Sequence, residues 1–170
     1  GELTGRELSQ KYVNAFPRAY KEEMLPNDAL VDIAKIEALS EENTLEMLFY
    51  RPQEENADSK AVRLNLFHKD HPIHSSDVLP MLENFGLRAI GETPYAVRCP
   101  QGSVSWILNF SMELNGKVPL DFEAAQQLFQ ESFAKVWQGQ LEDDGFNRLI
   151  LGAGLTGREA SLLRAFAKYK

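Results

Sequence analysis

Between Ala61 and Leu87 the spacing of hydrophobic residues changes from a period of two to a helical period. Val62, Leu64 and Leu66 alternate with Arg63 and Asn65, which predicts a strand with one buried face over Ala61–Lys69. Pro72 follows and has no N–H to donate, so pairing is expected to stop there. Ser75, Ser76 or Asp77 is expected to cap the next helix by accepting a hydrogen bond from a free backbone N–H. Val78, Leu79, Leu82 and Phe85 then share a helical face, with Pro80 expected in the first turn and Gly86 as a left-handed C′ residue. This strand, turn and helix open a split β-α-β unit around which the other patterns arrange themselves.

Upstream, Thr4 and Glu7 stand at capping-box spacing, and Leu8, Tyr12 and Phe16 form a short apolar stripe that Pro17 interrupts. After Pro26 and Asn27, Leu30, Ile33, Ile36 and Leu39 predict a second helix that leaves Asp32, Lys35 and Glu37 to water. Thr44–Arg51 predicts a strand with Leu45, Met47 and Phe49 on one face and Leu48 and Tyr50 on the other. The acidic stretch Pro52–Lys60, including Glu54 and Glu55, has no periodicity and predicts a flexible hairpin loop. Downstream, Leu87–Cys99 predicts a strand interrupted near Gly91 and Pro94. Val104, Trp106, Leu108, Phe110 and Met112 alternate with Ser105, Asn109 and Ser111, the clearest strand pattern in the chain, and the stripe is expected to be core. Asn115-Gly116 ends it. Asp121 caps a helix with Phe122, Ala125, Phe129, Phe133 and Val136 in one stripe. A short helix containing Phe146, Leu149 and Ile150 follows. Thr156 and Glu159 then repeat the capping-box spacing before a last helix with Leu163, Phe166 and Ala167.

The order is helices, β-β-α-β-β, helices. A ferredoxin-like sheet has spatial order 4-1-3-2. If Ala61–Lys69 is its first strand, the fourth is missing downstream, but Thr44–Arg51 can hairpin onto the first and fill that edge. The expected fold class is therefore α+β: a ferredoxin-like four-stranded antiparallel sheet in permuted ββαββ order, with flanking helices. The expected division is a helical segment over 1–41, the α+β domain over 42–118 and a second helical segment over 119–170.

Composition narrows the function classes. The chain has 170 residues and is 44% hydrophobic, ordinary for a globular protein. A formal charge of -7 argues against a nucleic-acid or anionic-membrane surface, each of which needs a basic face. Cys99 is the single cysteine, so neither an internal disulfide nor a cysteine-built zinc site is expected, and a cytoplasmic setting follows. No apolar run approaches the roughly 20 residues of a membrane span, and the start does not read as a signal peptide. The start at Gly1 and the helical pattern running to Tyr169-Lys170 suggest an excised fragment.

Three places invite a chemical reading. Gly152, Gly154 and Gly157 match G-x-G-x-x-G, in which glycines let backbone approach a pyrophosphate at a helix N-terminus. The motif needs a preceding strand and an acidic residue about 20 positions on, but the sequence stops 13 residues past Gly157, so helix–turn–helix is the favoured reading. His68, His71 and His74 are possible metal ligands, but Pro72 and the strand end put them in a turn with only Asp70 and Asp77 nearby, so no metal is expected. The turn itself is the third place. Free N–H groups at the helix start favour an anion, such as an amino-acid carboxylate, which makes His71, His74, Ser75, Ser76 and Asp77 the candidate effector-binding residues. No nucleophile motif or catalytic constellation is visible.

Several blocks carry a resemblance: Arg18-Ala-Tyr-Lys, Asp28-Ala-Leu-Val-Asp-Ile, Ser76 through Arg88, Asp143-Asp-Gly-Phe-Asn-Arg-Leu, and Arg158 through Tyr169. Together, and in this order, they resemble an internal region of the bacterial large-subunit NAD-specific glutamate dehydrogenases. The resemblance implies a parent enzyme that oxidatively deaminates L-glutamate to 2-oxoglutarate with NAD as cofactor. It implies that this segment is the last of several ACT-like domains with its flanking helices, a regulatory or assembly element with no catalytic residues and no cofactor of its own. The dehydrogenase core would follow downstream, and the partners would be other domains and subunits of the same enzyme. ACT domains often bind amino-acid effectors at the loop after their first strand, here Asp70–Ser76, and often pair edge to edge. Where the family pattern has Gly after the Pro, this chain has Ile73, whose side chain stands in the way of a ligand's approach to the backbone; a scaffold role is the competing expectation. Two further readings stay open: a dinucleotide-binding part of an enzyme at Gly152–Gly157, and a ligand-free interaction domain.

Overall fold

A computed structural model describes residues 4–52 and 58–168. Four strands form one sheet: β1 (Leu45–Tyr50), β2 (Ala61–Lys69), β3 (Leu87–Arg98) and β4 (Val104–Leu114). Their order is β1-β2-β4-β3. With β2 as first strand this is the 4-1-3-2 order of a ferredoxin-like sheet, the permuted ββαββ arrangement expected from the patterning. β1 lies beside β2 at one edge and fills the place of the fourth strand. The flexible loop expected over Pro52–Lys60 falls on residues 53–57, with Glu54 and Glu55, which lie outside the described residues, as does Tyr169-Lys170.

Seven α-helices complete the described chain: α1 (Gly5–Lys11), α2 (Arg18–Glu23), α3 (Pro26–Glu37), α4 (Ser75–Asn84), α5 (Phe122–Trp137), α6 (Arg148–Gly152) and α7 (Gly157–Lys168). Both capping boxes form. Glu7 N–H donates to Thr4 Oγ1 at 3.2 Å while Thr4 N–H donates to Glu7 Oε2 at 2.9 Å. Glu159 and Thr156 repeat the exchange at 3.1 and 3.2 Å. Asp121 caps α5 by accepting from Ala124 N–H.

Contacts divide the chain into two compact units, described separately. The first comprises Gly1–Met47, Asn65–Ile73 and Thr93–Asn109. Its core contains Tyr12, Phe16, Tyr20 and Tyr95; Phe16 stacks on Tyr20 at 4.4 Å, and Tyr95 meets Tyr20 edge-on at 5.3 Å. Here the patterning misplaces Asp32. The α3 stripe leaves it to water, yet it is 2% exposed. It accepts from Tyr20 O–H at 2.5 Å and from Asn65 Nδ2 at 3.2 Å, and Asn65 in turn accepts from Asn109 Nδ2. The positions of β2 and β4 that alternation assigns to a polar face are therefore buried too: Asn65, Ser105 and Asn109, together with Ile107. They remain polar because each asparagine is hydrogen-bonded across the strands or to α3. Glu37 also finds partners, Tyr12 O–H at 2.7 Å and Lys11 Nζ at 2.9 Å. Burial works against the Glu37 charge, but these two donors hold its carboxyl below the usual range.

The second unit comprises Leu48–Leu64, His74–Glu92 and Phe110–Lys170. Phe49, Phe85, Phe129 and Phe133 are fully buried in it. Their rings lie 4.4 Å (Phe49–Phe129), 5.1 Å (Phe85–Phe129) and 5.6 Å (Phe129–Phe133) apart, within the range of favourable aromatic pairing. Gly86 follows α4 at φ +80°, the left-handed conformation expected of it.

β3 runs unbroken through Gly91 and Pro94, contrary to the expected interruption. It is an edge strand, where a proline's missing N–H can face solvent. The irregularity survives in another form. Cys99 N–H pairs with Ser103 O at one end and Asn115 N–H with Gly86 O at the other. The opposed positions sum to 202 and 201 respectively, so β3 holds one more residue than β4 between these bonds, as a β-bulge requires.

Candidate functional site

The turn between β2 and α4 holds the residues expected from the sequence to meet an effector. β2 ends at Lys69, and Asp70 takes a left-handed conformation at φ +68°. Its N–H donates to Val104 O at 2.9 Å, so the reversal is tied to the neighbouring strand. His68 Nδ1 bonds His71 O at 2.7 Å, which requires the proton on Nδ1, because a carbonyl only accepts. His71 is exposed and Ile73 half-buried.

α4 begins earlier than the capping pattern suggests. Its first residue is Ser75 and its N-cap is His74, with no side-chain hydrogen bond to the cap. Ser75, Ser76 and Asp77 therefore lie inside the first turn rather than capping it. An N-cap residue typically adopts an extended backbone, and here His74 does, at ψ 128°. Asp77 N–H returns to His74 O at 3.0 Å. The early start also moves Pro80 out of the first turn into the helix interior. Its ring removes the bond to the carbonyl of Ser76, but both residues are exposed, so water can satisfy that oxygen. His74, Ser76 and Asp77 are exposed and Ser75 half-buried. The first turn thus presents N–H donors that no side chain of the helix occupies, beside the negative charge of Asp77. Among the described residues no three His, Cys, Asp or Glu side chains are placed to hold a metal, so His68, His71 and His74 do not form a ligand set.

The glycines of the G-x-G-x-x-G match serve a helix-to-helix connection. Gly152 ends α6, Gly154 turns the chain at φ +67°, and Gly157 opens α7. The residues before them are helical, where a dinucleotide motif needs a strand. Gly157 is buried, and a Cβ there would meet Leu141 Cδ2 at 3.3 Å. Close packing of α7 accounts for this glycine without a phosphate.

One group in this unit is missed by sequence reasoning. Arg164 is 5% exposed on α7. Its Nε and Nη2 donate to the two carboxylate oxygens of Asp144, the latter at 2.7 Å, and Nη2 also reaches Asn147 Oδ1 at 3.1 Å. The guanidinium holds the Asp144 carboxyl below its usual range, against the effect of burial. A signal for it exists in the spacing: Gly157, Ala160 and Arg164 form the buried stripe of α7, while Leu162, Leu163 and Phe166 are exposed. A shallow cleft of about 400 Å³ beside this cluster is lined by Asp144, Gly145, Phe146, Arg148 and Leu149.

Comparison with known proteins accounts for both the sheet and the helices around it. Residues 44–125 match the family model described as glutamate dehydrogenase, ACT3 domain. Residues 1–39 match glutamate dehydrogenase, helical motif 2, and residues 141–170 match helical motif 3. The chain is 41% identical over 169 residues to the NAD-specific glutamate dehydrogenase of Halomonas elongata, a match covering 99% of this chain and 10% of that protein. It is 37% identical to the NAD-specific glutamate dehydrogenase of Pseudomonas aeruginosa, again over 99% of this chain and 10% of the relative. The corresponding Mycobacterium tuberculosis protein is 33% identical over 97% of this chain and 10% of its own length. The chain therefore spans about a tenth of the length of the curated relatives it matches. With an ACT3 match laid over a 4-1-3-2 sheet and a helical motif matched on each side, the chain belongs to the NAD-specific glutamate dehydrogenase family, as an internal ACT-domain region.

Proposed function

We propose that this chain is a non-catalytic regulatory or assembly segment of an NAD-dependent glutamate dehydrogenase. The parent enzyme would deaminate L-glutamate to 2-oxoglutarate while reducing NAD, with its catalytic residues and NAD site in a core beyond this chain. We divide the chain into a helical segment (1–41), an ACT-like domain (42–118) and a helical segment leading to that core (119–170). Its partners would be the other domains and subunits of the enzyme, working in the cytoplasm. The observation that carries this reading is the sheet order, in which the upstream hairpin strand β1 fills the edge that an ACT-like fold requires.

Within that role, His71, His74, Ser75, Ser76 and Asp77 are the proposed contacts for an amino-acid effector. Support comes from the first turn of α4, which has no side-chain cap and so offers backbone donors to a carboxylate. Regulation through such a site needs an effector with unequal affinity for two states of the enzyme.

The test uses the full-length enzyme carrying Phe129→Ala, which removes the central ring of the buried aromatic cluster. The expected outcome is altered subunit assembly or altered response to amino acids, with the KM values for NAD and glutamate retained. A variant with unchanged assembly and regulation overturns the proposal. Calorimetric titration with aspartate, arginine and glutamate then addresses the effector. Heat that disappears in Asp77→Ala assigns the site, and equal heats in both proteins remove it.

A further inference from the structure

On the outer edge of β1 the backbone of Phe49 is paired, although among the described residues no strand lies beside it. Lys69 N–H donates to Thr44 O at 3.3 Å, which sets β1 antiparallel to β2. In that register the even-numbered residues of β1 direct their backbone groups to β2, and the odd-numbered ones direct theirs outward. Phe49 is an outward position on an edge strand. Its N–H donates to Gln130 Oε1 at 2.9 Å, and its C=O accepts from Gln126 Nε2 at 2.6 Å. A neighbouring antiparallel strand makes these same two bonds from one of its residues. Here two side-chain amides one helical turn apart on α5 make them instead. Buried ring contacts hold α5 in place: Phe49 lies 4.4 Å from Phe129 and 5.4 Å from Phe122 of the same helix.

We propose that Gln126 and Gln130 occupy the strand-pairing position on β1 and so close this edge of the sheet against β1 of a second copy of the chain. An open edge with free N–H and C=O groups is a template for another strand, and two copies of one edge can pair across a two-fold axis. The glutamine pair removes the outward donor and acceptor at Phe49, the fully buried residue of that strand. Glutamine suits the task because one residue type provides a neutral donor and a neutral acceptor.

The test combines amide hydrogen exchange with sedimentation of the 170-residue chain. In the wild type the Phe49 amide is expected to be protected despite its place on an edge. Gln130→Ala should lower that protection roughly tenfold while leaving buried amides of β4 unchanged. Gln126→Ala combined with Gln130→Ala should self-associate more strongly than wild type as concentration rises. Gln127→Ala, on the exposed side of α5, serves as the control and should not. Should the double variant fail to fold, two single glutamates decide. Gln130→Glu keeps an acceptor for the Phe49 N–H and should behave as wild type. Gln126→Glu loses the donor, faces the Phe49 carbonyl with a charge, and should weaken the closure. An unprotected Phe49 amide in the wild type, a folded double variant no more associated than wild type, or identical behaviour of the two glutamate variants would each overturn the proposal.

Discussion

Asp32 is the residue whose chemistry most constrains the first unit. It is buried and, among the described residues, accepts hydrogen bonds from the neutral donors Tyr20 and Asn65. Burial raises its pKa to about 6; the two hydrogen bonds oppose the shift, and the charge of Asp28 adds to it. Because the folded-state value lies above the ordinary carboxyl value of 3.8, the folded protein binds this proton more tightly than the unfolded chain. Its contribution to stability is fully present below pH 3.8 and is lost as pH rises through about 6. A rise from 3.8 to about 6 corresponds to about 3 kcal/mol as an upper bound. Thermal midpoints recorded between pH 4 and 7.5 should therefore fall more steeply in the wild type than in Asp32→Asn. Parallel curves would show that Asp32 titrates as an ordinary carboxyl. Arg164 poses the opposite case, a buried cation with an ionic partner. Arg164→Met is expected to destabilise the chain by about 3 kcal/mol in denaturant melts, because Asp144 and Asn147 lose their shared donor. A loss below about 1 kcal/mol would class the pair with ordinary surface ion pairs. Neither residue's role is legible locally. Asp32 adjoins the α3 stripe, and its partners lie 12 and 33 positions away in sequence. Arg164 and Asp144 are separated by 20.

Elements follow local signals where the chemistry is local. Thr4 with Glu7 and Thr156 with Glu159 read as capping boxes from spacing alone, and both form. Thr156→Ala should cost about 1 kcal/mol in chemical denaturation, with loss of exchange protection confined to the first turn of α7. An unchanged midpoint would mean that packing at Gly157 and Ala160 alone fixes this helix start. At the start of α4 local signals run out. Three polar residues in a row, Ser75, Ser76 and Asp77, all satisfy a cap rule, yet His74 takes the position because it has the extended backbone. The continuous β3 strand has the same origin. Gly91 and Pro94 signal a break, but as an edge strand β3 can absorb them with a one-residue register shift. Side-chain closure of β1 by Gln126 and Gln130 spans 77 and 81 positions, and α5 periodicity marks both glutamines only as polar.

For the whole molecule, the strand order was legible because alternation located each strand and a single hairpin completed the sheet. The reversal between β2 and α4 was legible, though the residue at which α4 begins was not. The helical character of Arg148–Gly152, where a dinucleotide motif needs a strand, separates the helix–turn–helix reading of these glycines from the nucleotide-binding one. The most direct test of that separation is a titration of the chain with NAD, followed by backbone amide NMR shifts. No saturable change is expected at Gly152, Gly154 or Gly157. Saturable shifts centred on those three amides, removed by Gly154→Val, would refute the separation and restore a nucleotide site to this chain.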